Sequence, residues 1–283
     1  MANAVVSKNY PLHKLNLHVE ERKGNAPAII FLHGISMSRE VWQKQLESEA
    51  LSNYHLISVE LPGHGTSDWS DEPETHYTLP GYAQLLQELI PTITDEKYVV
   101  AGYSLGGNVA IEALPGLKNC IGVLIVNTAV ANSPDDIVRA FKTDKADVLN
   151  TILKEQADDG ELDKYATSFL AVRNGHIPTT LADDYKKTDP KARTVLAQSV
   201  AVSNHADEIK IMQQAKVPIA LITGEEDQLG EKTYLQDLEV PKWTGDTIMV
   251  PDAGHMPQLE NSAYFDQKLV EFVEHCRTQS EAR

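Results

Sequence analysis

Basic residues are scarce in this chain: 25 lysines and arginines stand against 41 aspartates and glutamates, a net charge of −16 over 283 residues. Nucleic acid and anionic membrane surfaces would repel such a chain, so neither is an expected partner. Cysteine is nearly absent. Cys120 and Cys276 are the only two, neither in a C-x-x-C arrangement, which points to buried thiols in a reducing compartment rather than a disulfide framework. No apolar run approaches the length that spans a bilayer, and the N-terminal stretch holds no sustained apolar region of signal-peptide type. A cytoplasmic location is the expectation. H-x-H-x-D-H and H-E-x-x-H runs are missing too, so neither a metal nor another cofactor is expected. Internal repeats and low-complexity tracts are also lacking.

What is present reads as alternating strands and helices. The apolar fraction of 42% is ordinary for a globular protein, and the length suits one large α/β domain or a core carrying an insertion. Leu15, Leu17 and Val19 alternate with polar residues, the pattern of a half-exposed first strand. A turn signal at Lys23-Gly24-Asn25 precedes a continuous apolar run at residues 28–32, the mark of a strand buried on both faces of a parallel sheet. A helical pattern begins near Arg39, a second buried strand spans 56–60, and an amphipathic helix spans 79–90. Another strand and helix surround Ser104, and a further strand occupies 121–126. From residue 133 to 214 the rhythm stops. Helical stretches at 136–141, 146–153, 162–172 and 192–202 fill this segment, and no strand of comparable quality interrupts them. Strands at 218–223 and 247–250 and an amphipathic helix at 263–276 resume the pattern. The expected architecture is therefore α/β: a mostly parallel, doubly wound sheet built from residues 1–132 and 215–283, with residues 133–214 as a helical cap.

Chemistry collects at the loops that follow the strands. Gly102-Tyr103-Ser104-Leu105-Gly106 is a G-x-S-x-G element between a strand signal and a helix signal. Only small residues two positions either side let strand and helix approach while the serine takes a strained backbone that lifts its oxygen out of the sheet. A serine needs a base and an orienting acid to become a nucleophile. Of ten histidines, His255 alone lies on a glycine- and proline-bounded loop after the last strand. His33 and His64 also follow strand ends but sit among glycines in tight turns, where a structural role is expected. His13, His18, His55, His76, His176, His205 and His275 have no catalytic context. The acid belongs after a different strand, in Gly224-Glu225-Glu226-Asp227. Asp227 is the choice, with Glu226 the runner-up; Asp252 reads as a turn-forming residue. The backbone N–H groups of Leu105 and Ile35 are the expected oxyanion donors, each typically worth ~3 kcal/mol in the rate.

The His33-Gly34 loop, Leu61-Pro62-Gly63-His64-Gly65, the serine turn, the acid loop and Gly254-His255 together resemble the α/β-hydrolase superfamily with a serine nucleophile. The order Ser104, Asp227, His255 along the chain fits that resemblance. Within the superfamily the chain is most similar to the metal-independent N-acyl-homoserine lactone hydrolases. The stretches that carry this are residues 62–82, Gly106-Gly107 with its following Ile-Glu pair, and Asp252-Ala253-Gly254-His255 with Phe265-Asp266 beyond. Ile35, Tyr103 and Asn108 depart from that family's residues. The resemblance implies a small-molecule ester or lactone as substrate, quorum quenching as the activity, and Tyr165 as a cap residue that holds the substrate carbonyl or merely packs. The alternatives are a general carboxylesterase, hydrolysis of a carbon–carbon bond, acyl transfer, and a ligand-sensing protein with little turnover. Oligomeric state is not legible from these residues.

Overall fold

A computed structural model describes residues 3–175, 177 and 179–282 of the chain. Its centre is an eight-stranded sheet of order β1-β2-β4-β3-β5-β6-β7-β8. The strands are β1 (Val5–Leu12), β2 (Leu15–Arg22), β3 (Asn25–Leu32), β4 (Tyr54–Val59), β5 (Tyr98–Tyr103), β6 (Cys120–Val126), β7 (Ile219–Gly224) and β8 (Ile248–Val250). From β4 through β8 every neighbouring pair is parallel, while β1 and β2 form an antiparallel edge. All residues of β4, β5, β6 and β7 are buried, including the polar His55 and Ser58 of β4 and Thr223 of β7, as predominantly apolar strands covered on both faces require. In register across the sheet, Phe31 pairs with Ala101, Ala101 with Leu124 and Leu124 with Ala220. Large and small side chains thus alternate along one layer, which lets the covering helices seat closely.

The opening of the chain differs from expectation. The half-exposed first strand expected at Leu15 is the second strand, and it is buried along most of its length. The true edge strand, β1, carries mostly exposed residues, so no alternating pattern betrays it. Its pairing buries the polar end of β2: Glu21 forms ion pairs with Lys8 and Lys23, Glu20 meets Arg39 at 2.7 Å, and Arg22 donates to the carbonyls of Leu46 and Ser48.

The helix Leu79–Ile93 starts where the Thr78 hydroxyl accepts from the N–H of Gly81, and it buries Tyr82, Leu85, Leu86 and Leu89 against the sheet. Between β6 and β7 the described residues contribute helices and no sheet strand: Pro134–Ala140, Ala146–Leu153, Asp159–Ser168, Leu181–Lys187, Pro190–Ala201 and Glu208–Gln214. The helix expected over 162–172 instead spans Asp159–Ser168. A reciprocal capping box between Asp158 and Glu161 sets its start, the α-helix ends at Ser168, and a separate short 3₁₀ turn follows at Val172–Asn174. Leu181–Lys187, Glu208–Gln214 and, after β7, Lys232–Asp237 are helices that the periodicity did not separate from their surroundings. A final helix, Ser262–Glu281, extends five residues beyond the expected end. Cys120 and Cys276 are both buried and unpaired. Among the described residues no helix is long and apolar enough to cross a membrane.

Candidate active site

The sharpest turn of the molecule lies between β5 and the helix Leu105–Ala113. Ser104 sits there at φ 51° and ψ −120°, a left-handed conformation that costs a non-glycine residue of order 1–3 kcal/mol. The surroundings hold it in place. Its N–H donates to Val126 O at 2.9 Å, and its carbonyl accepts from Gly107 N at 2.8 Å and from Thr128 Oγ1 at 3.1 Å. The flanking glycines have steric reasons. A Cβ on Gly102 would stand 2.3 Å from Gly106 O, and one on Gly106 would stand 2.4 Å from Leu32 O. Strand and helix can come this close only without those side chains.

Two loops beyond neighbouring strands bring the acid and the histidine together. Asp227, after β7, is buried and faces His255, with Nδ1 and Oδ2 2.8 Å apart. Its other oxygen accepts from Leu229 N at 2.8 Å and Gly230 N at 3.1 Å. Burial pushes the Asp227 carboxyl up, but the charge and hydrogen bond of His255, with the two backbone N–H groups, hold it below the ordinary carboxylate range. The ionised carboxylate therefore accepts from Nδ1–H, which leaves the imidazole Nε2 free to take a proton. Glu226, the runner-up, points away and pairs with Arg173. Asp252 also pairs with Arg173 and takes φ 57°, in keeping with a turn residue.

His255 is gripped by residues that the sequence reading did not single out. Its N–H donates to Phe169 O at 2.9 Å, and its carbonyl accepts from Asn127 Nδ2 at 2.6 Å. The Phe169 ring stands edge-on to the imidazole at 5.2 Å and that of Tyr103 at 5.7 Å. Asn127 itself has φ 45°. Its signal in the sequence is modest: a polar residue directly after a buried strand, at the edge where α/β sheets place their ligands.

The loop after β3 closes on the serine. A Cβ on Gly34 would lie 3.2 Å from Ser104 Cβ, so the next N–H, that of Ile35, belongs to the immediate surroundings of the nucleophile. Among the described residues none accepts from the Ile35 N–H. Leu105 is the first residue of its helix, and its N–H has no intrahelical partner. His33 is structural, as expected. Its Nδ1 faces Gly34 O at 2.8 Å and its Nε2 accepts from Leu61 N at 3.0 Å, so both ring nitrogens are engaged in fixing this loop. His64 packs beside it with ring centroids 5.0 Å apart. Burial lowers the pKa of both rings, which keeps them neutral. The other histidines have partners of their own: His13 with Glu88, His18 with Asn9, His55 with Glu96, His76 with Ser70, His205 with Ala206 O and His275 against Trp243. His176 lies outside the described residues.

Tyr165 comes from the helix Asp159–Ser168 and is fully buried, its ring 4.8 Å from that of Phe169 and 5.7 Å from that of Tyr185. Its hydroxyl has no hydrogen-bond partner among the described residues, and neither does that of Tyr103. Burial raises the pKa of both phenols, so they stay protonated donors. From the helix Pro190–Ala201, Arg193 reaches Ser36 Oγ at 3.3 Å and lies 3.9 Å over the Tyr185 ring, tying this face to the Ile35 loop. Among the described residues no three His, Cys, Asp or Glu side chains gather as metal ligands.

A parallel sheet carrying a strained serine at a strand-to-helix turn, followed by a paired acid and histidine after later strands, defines a hydrolase architecture. The chain belongs to the alpha/beta hydrolase family, whose pattern matches residues 29–267. It is similar in structure to a serine-to-glycine mutant of the N-acyl homoserine lactonase AidH in complex with N-hexanoyl homoserine lactone, with a TM-score of 0.88, 26% identity, and coverage of 96% of this chain and 98% of that one. In sequence it is similar to the 2-(acetamidomethylene)succinate hydrolase of Mesorhizobium japonicum (strain LMG 29417 / CECT 9101 / MAFF 303099), 25% identical over 260 residues that cover 88% of each chain. The pimeloyl-[acyl-carrier protein] methyl ester esterase of Nitrosomonas europaea (strain ATCC 19718 / CIP 103999 / KCTC 2705 / NBRC 14298) is also 25% identical, over 86% of this chain and 94% of the relative.

Proposed function

We propose that this hydrolase cleaves carboxylic esters through an acyl-enzyme on Ser104, and that its substrate is an N-acyl-homoserine lactone. The observation that carries the reading is the buried 2.8 Å contact of His255 with Asp227, which orients Nε2 as a proton acceptor on the strand-end edge that Ser104 occupies. Ser104 Oγ attacks the lactone carbonyl as its proton passes to His255 Nε2. The N–H groups of Leu105 and Ile35 take the negative oxygen of the tetrahedral intermediate. Protonated His255, stabilised by the Asp227 carboxylate, returns the proton to the leaving ring oxygen as the carbon–oxygen bond breaks. Water, deprotonated by His255, then attacks the acyl-enzyme, and the proton goes back to Ser104. These steps need no group beyond side chains, backbone N–H groups and water. Because a lactone's leaving hydroxyl stays tethered, turnover requires water to arrive before the ring closes again. The free hydroxyls of Tyr165 and Tyr103 are the donors suited to hold the opened chain aside. Similarity to AidH supports the lactone in particular.

A second reading, an esterase for open small-molecule esters, has the apolar Ile35 and the methyl ester esterase relative in its favour. Fluorophosphonate labelling tests the nucleophile: the parent protein labels, and Ser104→Ala neither labels nor hydrolyses ester. Hexanoyl and longer homoserine lactones offered beside matched open esters, with acid release followed by titration, test the substrate. Ring opening no faster than background would sink the lactone and leave the esterase.

A further inference from the structure

Glu260 stands between the histidine loop and the segment that descends from the helical insertion. Its carboxylate divides its work by oxygen. Oε1 accepts from Gly254 N at 2.8 Å and Met256 N at 3.2 Å, the two amides that flank His255. Oε2 accepts from Ala171 N at 2.7 Å and Asn174 Nδ2 at 3.1 Å, both in residues 169–174. The same segment is stitched to the site at further points. Phe169 O accepts from His255 N at 2.9 Å, and Leu170 O accepts from Gln228 Nε2 at 2.5 Å, next to Asp227. Asn174 Nδ2 also reaches Asp252 O at 2.7 Å, and Arg173 pairs with both Glu226 and Asp252.

No other residue type spans both sides in this way. Four N–H donors converge on one group, two on each oxygen, and an acceptor-only side chain satisfies all of them. Glutamine would present an NH₂ to one pair. We propose that Glu260 is a positioning residue that locks residues 169–174 of the cap to the His255 loop, so that the imidazole is aligned only while this segment is docked. The proposal rests on His255 acting as the general base. Lifting the segment removes the Phe169 carbonyl from the His255 N–H and frees Oε2 at once, which loosens the amide end of the histidine's backbone and leaves Oε1 and Asn127 to hold the loop. Docking of the segment and alignment of the imidazole are coupled through one carboxylate.

The test compares Glu260→Ala, Glu260→Gln and Asn174→Ala in the full chain, with Glu21→Gln at the remote β1–β2 pair as a control for lost stability. The expected result is a kcat lower by about 10²-fold in E260A, as for an active group misplaced by about 1 Å, with KM within about twofold. E260Q, which keeps one oxygen, falls between E260A and the parent. N174A loses about threefold, and E21Q keeps the parent kcat. The second readout is amide exchange, which needs no turnover. The His255 amide bonds Phe169 O and not Glu260, yet its exchange is expected to rise at least tenfold in E260A together with those of Ala171, Gly254 and Met256. Faster exchange at Ala171 with an unchanged His255 amide would overturn the proposal, as would an E260Q enzyme with the parent kcat. If E260A fails to fold, E260Q and N174A decide the same question. A parent protein that takes no fluorophosphonate and cleaves no ester defeats the functional reading alone, because the exchange experiment still reports on the lock.

Discussion

Replacing Asp227 by asparagine is expected to disable the enzyme by reversing a tautomer while leaving the fold in place. Two backbone donors, Leu229 N at 2.8 Å and Gly230 N at 3.1 Å, hold Oδ1 of the acid. An asparagine at this position keeps its oxygen there, because the opposite orientation would set an NH₂ against two buried N–H groups at about 1–3 kcal/mol each. The amide nitrogen then occupies the Oδ2 position, 2.8 Å from Nδ1 of His255. Two donors cannot face one another, so the imidazole proton moves to Nε2, where it blocks acceptance of the serine proton. A change of this kind costs about 10⁴ in kcat, which corresponds to about 5 kcal/mol of transition-state stabilisation. Glu226→Gln disturbs only an ion pair with the half-exposed Arg173, worth ~0–1 kcal/mol, and kcat is expected to stay within about twofold. The assay is hydrolysis of 4-nitrophenyl butyrate near pH 8, with thermal melts to verify that both variants are folded. A folded D227N enzyme within tenfold of the parent, or an E226Q enzyme weaker than D227N, would refute the assignment of the acid.

Gly106→Ala is expected to destabilise the protein by about 2 kcal/mol or more, because the new methyl meets backbone atoms of Leu32 and His33 within 2.8 Å and the serine helix has to retreat. Urea denaturation measures this; an unchanged midpoint would contradict the close approach. Glu21 gives a pH prediction. Burial raises its carboxyl, but Lys23, Tyr10 and Lys8 outweigh burial and bring it down to about 2 from an ordinary 4.5. A depressed pKa contributes stability that is present above pH 4.5 and lost as pH falls from 4.5 to 2. Glu21→Gln is therefore expected to be less stable than the parent at pH 7, by at most about 3 kcal/mol and less to the extent that water screens Lys8 and Lys23. The gap should narrow below pH 4.5, and a gap constant from pH 7 to pH 3 would show that the network contributes no ionic stability.

Sheet and serine turn were legible because their causes are local. A strand buried on both faces is predominantly apolar, and a serine lifted from a strand end needs small neighbours. Both constraints leave marks within a dozen residues, as at Gly102 and Gly106. Asp227 was legible as a position after a strand, although its 2.8 Å contact with His255 and the converging Leu229 and Gly230 amides, which distinguish it from Glu226, are tertiary. Edge strand β1 was not legible, since an exposed strand has no core face to impose alternation. Phe169, Asn127 and Glu260 were hidden for a different reason. Each acts on His255 across a separation that sequence spacing does not encode, from 5 residues for Glu260 to 128 for Asn127. After Ser168, tertiary hydrogen bonds such as that of Ala171 N to Glu260 interrupt the α-helix that local propensity favoured, and the chain resumes as a short 3₁₀ turn at Val172–Asn174.

The long excursion between β6 and β7 joins two adjacent parallel strands, a connection that in principle needs little more than one crossover helix. That helix is already present: Glu208–Gln214 packs on the serine helix, and Glu208 accepts from Asn108 at 2.9 Å and from Ala131 N at 2.8 Å, where the excursion departs. Departure and return are thus riveted at one spot, and among the described residues the chain between them contributes no strand to the sheet. Its length and composition can drift where the chain does not bond the scaffold, that is, outside residues 169–174 and the contacts of Asp184, Asp189 and Arg193 with Ser38, Tyr77 and Ser36. Grafting the corresponding segment of a relative between Asn132 and Asp207 is then a transplant with one backbone joint, and a means of exchanging substrate range where the graft also keeps these contacts of Asp184, Asp189 and Arg193.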